Sequence, residues 1–159
     1  MIYKKWNYIL LIISLISISS AFVAEYMYSL QPCELCLKQR HPYYLFIALM
    51  LLIFILPSFF KIYISALVQI GAIYGIFYSL WHVGVENNLV KGPSGCSTSL
   101  KISNNTLELK EQILSKQVIS CDEVIWSIFG LSAASINTIV ILFIFVINAL
   151  YISNLYAKK

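Results

Sequence analysis

Two cysteines three positions apart stand in Pro32-Cys33-Glu34-Leu35-Cys36, shortly before a long apolar run that begins at Pro42. Thiols at this spacing close a disulfide across one turn of chain. If a helix starts here, its exposed N–H groups and dipole favour thiolate in the first turn, which makes Cys36 the expected thiolate. Arg40 follows one helical turn after Cys36, within reach of that sulfur or of an anionic oxygen held beside it. Taken alone, Arg40 equally reads as an interfacial anchor whose stem snorkels to headgroups. Haem attachment would need a histidine directly after the second cysteine, and Leu37 is there instead.

A second pair, Cys96 and Cys121, has 24 residues between its members. That spacing is unlike a zinc knuckle and natural for a disulfide closing a loop, worth about 3 to 4 kcal/mol in the chain-entropy picture. Four thiolates on one zinc ion remain the alternative, and four cysteines allow three pairings. The turn-rich Gly92-Pro93-Ser94-Gly95 leaves Cys96 exposed, as a thiol that meets a partner protein must be. Asp122 and Glu123 disfavour thiolate at Cys121, so Cys96 is the better target for attack. His82, next to Trp81, can hydrogen-bond a ligand carbonyl, although a lone interfacial histidine is ordinarily just hydrated. Gln69 reads as glue between helices.

The elements that position these residues are apolar. Of 159 residues, 60% are hydrophobic and 11% charged, against roughly 45–50% and about 25% in an average soluble domain. Uncharged stretches cover 6–24, 42–60, 62–81 and 124–157, each long enough for a helix across a hydrocarbon core of about 30 Å. The sequence therefore predicts one all-α domain over 1–159. It is an integral membrane four-helix bundle with spans at about 6–27, 42–60, 62–82 and 129–151 and connecting loops at 28–41 and 83–128. Glu25 and Lys61 mark boundaries because a charge at mid-bilayer costs about 2.5 to 3.5 kcal/mol. Pro57 is expected to end the second helix, with Lys61 in the turn of an antiparallel hairpin.

Charge sets the orientation. Lys4, Lys5, Lys61, Lys158 and Lys159 fall on one side without an acid, while the 84–127 loop holds four lysines against five acids. The positive-inside rule puts both termini in the cytoplasm and all four cysteines outside, where disulfides persist; Lys38 and Arg40 run against the bias. The net charge of +4 does not point to nucleic acid, since the basic residues occur as pairs flanking apolar segments. Ser19-Ser20-Ala21 after Lys4 and Lys5 resembles a cleavage site, but cleavage would leave an odd number of spans, so an uncleaved span is expected. Trp6, Tyr43, Trp81, Trp126 and Tyr151 are placed near the membrane interfaces. Residues 107–119 alternate as a short amphipathic helix on the membrane surface or on the helix ends.

Pro32 through Arg40, the Cys121-Asp122-Glu123-Val124-Ile125-Trp126 run with Gly130-Leu131-Ser132, and His82-Val83-Gly84-Val85-Glu86 together resemble the bacterial disulfide bond formation proteins of the DsbB family. Vitamin K epoxide reductases place their loop cysteines before the Cys-x-x-Cys; here the Cys-x-x-Cys comes first, which favours DsbB. The resemblance implies an inner-membrane oxidase with catalytic Cys33, Cys36, Cys96 and Cys121 and no resident metal. In it a periplasmic DsbA-like dithiol protein attacks the Cys96–Cys121 disulfide at Cys96. Cys121 then exchanges with Cys33, and Cys36 passes electrons to a quinone, ubiquinone or menaquinone, drawn from the membrane pool. Arg40, and in an assisting role His82, would bind that quinone. Lys38 and His41 are departures within the motif. Without the resemblance, a disulfide-stapled membrane scaffold and a four-thiolate zinc module remain open readings of the same residues.

Overall fold

Runs of Leu, Ile and Phe without charges leave the backbone to satisfy its own polar groups, and a helix does so within one segment. In the computed structural model, which describes residues 2–93, 121, 124, 126–128 and 130–157, four long helices result. They are α1 (Ile2–Tyr26), α2 (Glu34–Ile55), α3 (Lys61–Glu86) and α4 (Ala133–Ala157). Helix α1 packs on α2, α2 on α3 and α3 on α4, and α4 returns to α1. Among the described residues the chain is all-helical apart from a two-residue antiparallel pair, β1 (Ser127–Ile128) and β2 (Leu131–Ser132).

Three of the helical stretches are long and apolar enough to cross a membrane: Lys5–Tyr26, Ser58–Glu86 and Ala133–Tyr156. Four were expected. Helix α2 has the length, about 33 Å at 1.5 Å per residue, but Glu34, Lys38 and Arg40 occupy its first two turns and dilute its hydropathy. It begins at Glu34, ahead of the apolar run at Pro42, because Cys33 caps it: the Cys33 sulfur accepts from the Cys36 N–H. At its far end Leu56 is the C-cap and closes onto Leu52 O at 3.0 Å. Pro57 then opens a 3₁₀ turn, Ser58–Phe60, that leads straight into α3.

The interior is apolar and tight. Leu10, Phe46, Met50, Val68, Ile141 and Ile144 are buried at the centre, whereas Ile12, Ile16, Ile70 and Ile139 point outward and are more than half exposed. An outer surface of this kind belongs against hydrocarbon. Gly75 sets the closest approach: a Cβ there would lie 2.8 Å from Ile141 and 3.1 Å from Pro42, so only glycine lets α2 and α4 both reach α3. Trp6 is 1% exposed and donates to Asn148 Oδ1 at 3.2 Å. Asn148 in turn donates to Ser65 O at 2.9 Å and to Gln69 Oε1 at 2.7 Å. Gln69 donates to Phe145 O at 3.3 Å, the helix-to-helix role read from its position.

The start of α4 is fixed from outside. Gly130 turns the β1–β2 hairpin at φ +79°, a conformation that costs glycine little. Ser132 then accepts from the Ser135 N–H at 3.1 Å and donates to Glu86 Oε2 at 2.5 Å, tying the end of α3 to the beginning of α4. The amphipathic segment 107–119, Cys96, Asp122 and Glu123 lie outside the described residues.

Candidate functional site

The two thiols of the first pair meet at the start of α2. Cys33 Sγ and Cys36 Sγ are 3.0 Å apart, with Cys33 3% exposed and Cys36 partly buried. Three groups converge on the Cys33 sulfur: the Cys36 thiol at 3.0 Å, the Cys36 backbone N–H at 3.3 Å and the His82 ring at 3.6 Å. Hydrogen bonds of this kind favour the charged form. The Cys36 thiol foremost, with help from His82, outweighs burial and lowers the Cys33 pKa to about 4. Cys36 moves the other way, raised by its hydrogen bond to Cys33 and by burial. The sequence placed the thiolate on Cys36. The assignment reverses because the hydrogen bond between the two thiols favours charge on Cys33, beside which His82 also stands, and disfavours it on Cys36; the cap N–H adds a smaller contribution at Cys33.

His82 is not hydrated at an interface; it is 4% exposed. Gln39 Nε2 sits 2.8 Å from its Nδ1. An amide nitrogen only donates, so Nδ1 is the acceptor and the ring proton sits on Nε2, facing Cys33. Gln39 is oriented in turn: its Oε1 accepts from Asn137 Nδ2 at 3.0 Å. Asn137 also donates to Ser79 Oγ at 2.7 Å and accepts from Tyr43 OH at 2.6 Å. A hydrogen-bonded chain thus runs from α4 through α2 and α3 to the sulfur. Glu86 Oε1, one turn beyond His82 on α3, lies 4.0 Å from its Nε2.

Beside the thiols is a cavity of about 190 Å³. Ile18, Ala21, Ala134 and Val140 give it apolar walls, and Cys33, Cys36, Arg40, His82, Glu86 and Asn137 open onto it. Arg40 Nη1 pairs with Glu25 Oε2 of α1 at 2.6 Å, and its guanidinium stands 5.8 Å from the Phe22 ring centre. Its charge is therefore compensated across the α1–α2 seam while it still borders the cavity. Lys38 and His41 face the other way: Lys38 Nζ lies 5.9 Å over the Tyr78 ring and His41 Nδ1 3.4 Å from Tyr74 OH.

Cys121 is buried and disulfide-bonded. It packs in one small cluster with Cys33, Leu35 and Val85, edged by Cys36, Tyr78 and Trp81. The structure thus brings together Cys33, Cys36, Cys121, Arg40 and His82 among the residues singled out from sequence. Sequence reasoning passed over Gln39, Asn137, Glu25 and Glu86. Asn137 is an amide inside an apolar helix, a signal that Gln69 shares, and Gln39 stands among the charged residues Lys38 and Arg40, where a polar side chain draws no notice.

Two comparisons bear on this site. The family model described as "Disulfide bond formation protein DsbB" matches residues 3–151. The chain is also similar to "Uncharacterized protein RP370" of Rickettsia prowazekii (strain Madrid E), 31% identical over 137 residues that cover 85% of this chain and 79% of that protein. No solved structure matches it.

Proposed function

The chain belongs to the disulfide bond formation protein DsbB family, and from that premise we propose that it reoxidises a periplasmic DsbA-like dithiol protein and delivers the two electrons to a membrane quinone. All four helices cross the inner membrane as a four-helix bundle, with α2 as the fourth span and its charged first turns at the periplasmic edge. Both termini are cytoplasmic. The lysine distribution supports this orientation.

The single observation that carries the reading is the convergence at one cavity of Cys36, Arg40 and His82, with disulfide-bonded Cys121 in the cluster that holds Cys33. Thiol exchange needs an attacking sulfur and a disulfide within contact, and once Cys33 is bonded to Cys121 the hydrogen bond that disfavours the Cys36 thiolate is gone while Arg40 still favours it. The partner's thiolate attacks Cys96 of a Cys96–Cys121 disulfide and releases Cys121. Cys121 attacks Cys33 of a Cys33–Cys36 disulfide and releases Cys36, which faces the cavity. The partner's second thiol then displaces Cys96, and Cys96 displaces Cys33 from Cys121, so the partner leaves as a disulfide, the Cys96–Cys121 bond is restored, and Cys33 and Cys36 are left as the dithiol whose two electrons and two protons pass to the acceptor.

The cavity suits a flat ring bearing carbonyls: apolar side chains form its walls, and Arg40 supplies donors. A bound quinone supplies an acceptor for two electrons and two protons there. Arg40 stabilises negative charge at that spot, and the Gln39–His82 pair holds a proton at Nε2, next to the sulfurs. Quinone reduction by the purified protein in detergent, with a reduced DsbA-like protein as donor, tests the proposal. Turnover is expected for the wild type and none for Cys36→Ser; absence of turnover with both ubiquinone and menaquinone analogues in a protein with intact helices would sink it.

A further inference from the structure

Cys33 Sγ, Cys36 Sγ and the ring nitrogen of His82 all lie within 4.8 Å of one another at the seam of one packed pair of helices, Cys33 and His82 buried and Cys36 partly so. Two soft sulfurs and an imidazole are a donor set for a d¹⁰ cation. From this cluster we propose that the reduced Cys33–Cys36 pair and His82 form a binding site for a zinc ion, with Glu86 or a water from the adjoining cavity in the fourth position. The inference stands on the side-chain arrangement and does not depend on electron transfer to quinone.

The geometry needs little adjustment. Zinc with sulfur at about 2.3 Å and nitrogen at about 2.0–2.1 Å sets ligand-to-ligand edges of roughly 3.4 to 3.8 Å in a tetrahedron. Cys33 Sγ already stands 3.6 Å from His82 Nε2; the two sulfurs, at 3.0 Å, must part by less than an ångström. Glu86 Oε1 is 4.0 Å from the same nitrogen and borders the cavity. The charges also close. Two thiolates neutralise the dication, which is what a buried site requires, and Arg40 is already compensated by Glu25.

Proton bookkeeping identifies the supporting residues. A thiol that binds gives its proton to solvent. His82 keeps one proton, moved from Nε2 to Nδ1 so that Nε2 can ligate. Gln39 then rotates its amide so that Oε1 accepts from Nδ1–H, and Asn137 rotates with it: its Oδ1 accepts from Gln39 Nε2 and the Ser79 hydroxyl, and its Nδ2 donates to Tyr43 OH. The Gln39–Asn137 chain can thus hold His82 in either tautomer. A disulfide offers no thiolate, so the site exists only after two-electron reduction, and zinc acts as a reversible lock on the reduced state.

The test uses the full chain in detergent, reduced by a non-chelating phosphine, with Zn²⁺ titrated against a chromophoric chelator and Cd²⁺ as an optical probe. One ion per chain is expected in the reduced protein and none after oxidation. The cadmium–sulfur charge-transfer band is expected at the intensity of two thiolates. His82→Ala should weaken binding at least tenfold, and Gln39→Leu by about 10-fold to 100-fold. Failure of the reduced wild type to retain an ion would overturn the proposal. So would a band of four thiolates, or binding undiminished in a folded His82→Ala protein. Loss of the ion from the Cys96→Ser, Cys121→Ser double variant would move the site to a four-thiolate centre and likewise refute it.

Discussion

Helix α4 carries two buried or half-buried asparagines on one face, Asn137 and Asn148, three turns apart, and each organises one end of the helix assembly. Asn148 is 1% exposed and saturates itself on neutral groups: Trp6, the Ser65 carbonyl and Gln69. Asn137 has the same chemistry and much the same geometry, with Gln39, Ser79 and Tyr43 as partners. Its chain does not close. Through Gln39 it continues to His82 and Cys33 and borders a cavity. An interhelical amide is therefore glue or a positioning arm according to whether its partners can titrate, and the amide itself does not reveal which.

The thiol provides the largest test of that contrast. In the reduced protein with chelator present, a thiol whose pKa is lowered is thiolate above that pKa and loses the charge below it. Alkylation of Cys33 should hold its rate through neutral and mildly acidic pH and fall only as pH drops through about 4. His82→Ala removes one donor and should move the midpoint upward. A midpoint near that of an ordinary cysteine in the wild type would break the distinction between the two ends.

Asn148→Leu comes next. It strands the Trp6 N–H and the Gln69 and Ser65 carbonyls, at a cost of about 1–3 kcal/mol. Denaturant titration should show that loss with the Cys33 profile unmoved, whereas Asn137→Leu should displace the profile and cost less. The reverse pattern would mean that both amides are glue. Tyr43→Phe gives the smallest effect. It removes one bond to Asn137, about 0.5–1.5 kcal/mol, and thiol titration should reveal a slight shift in the same direction as Asn137→Leu.

Much of this molecule was legible in the sequence because hydrocarbon imposes a simple rule. Uncharged runs gave the helices, and Cys33, Cys36, Arg40 and His82 were singled out from residue type and spacing. What failed did so for local reasons. The thiolate was assigned to Cys36 because a helix was assumed to place its second cysteine at the donor-rich end; the hydrogen bond between the two thiols favours charge on Cys33 instead. His82 looked hydrated because hydropathy cannot see Gln39 across the α2–α3 seam. Three of four spans stand on length and apolarity, and α2 falls short because the residues that build the site are the ones that make it polar.

The cap at Cys33 has a consequence for the backbone. Its sulfur receives the Cys36 amide, so the first hydrogen bond of α2 is made to the atom whose electron count changes in any thiol–disulfide cycle. A thiolate is a far stronger acceptor than a disulfide sulfur. A Cys33–Cys36 disulfide would weaken that hydrogen bond by roughly 1 kcal/mol and close the same turn covalently, so the start of α2 is held by an amide-to-sulfur bond in the reduced chain and by a sulfur–sulfur bond in the oxidised one.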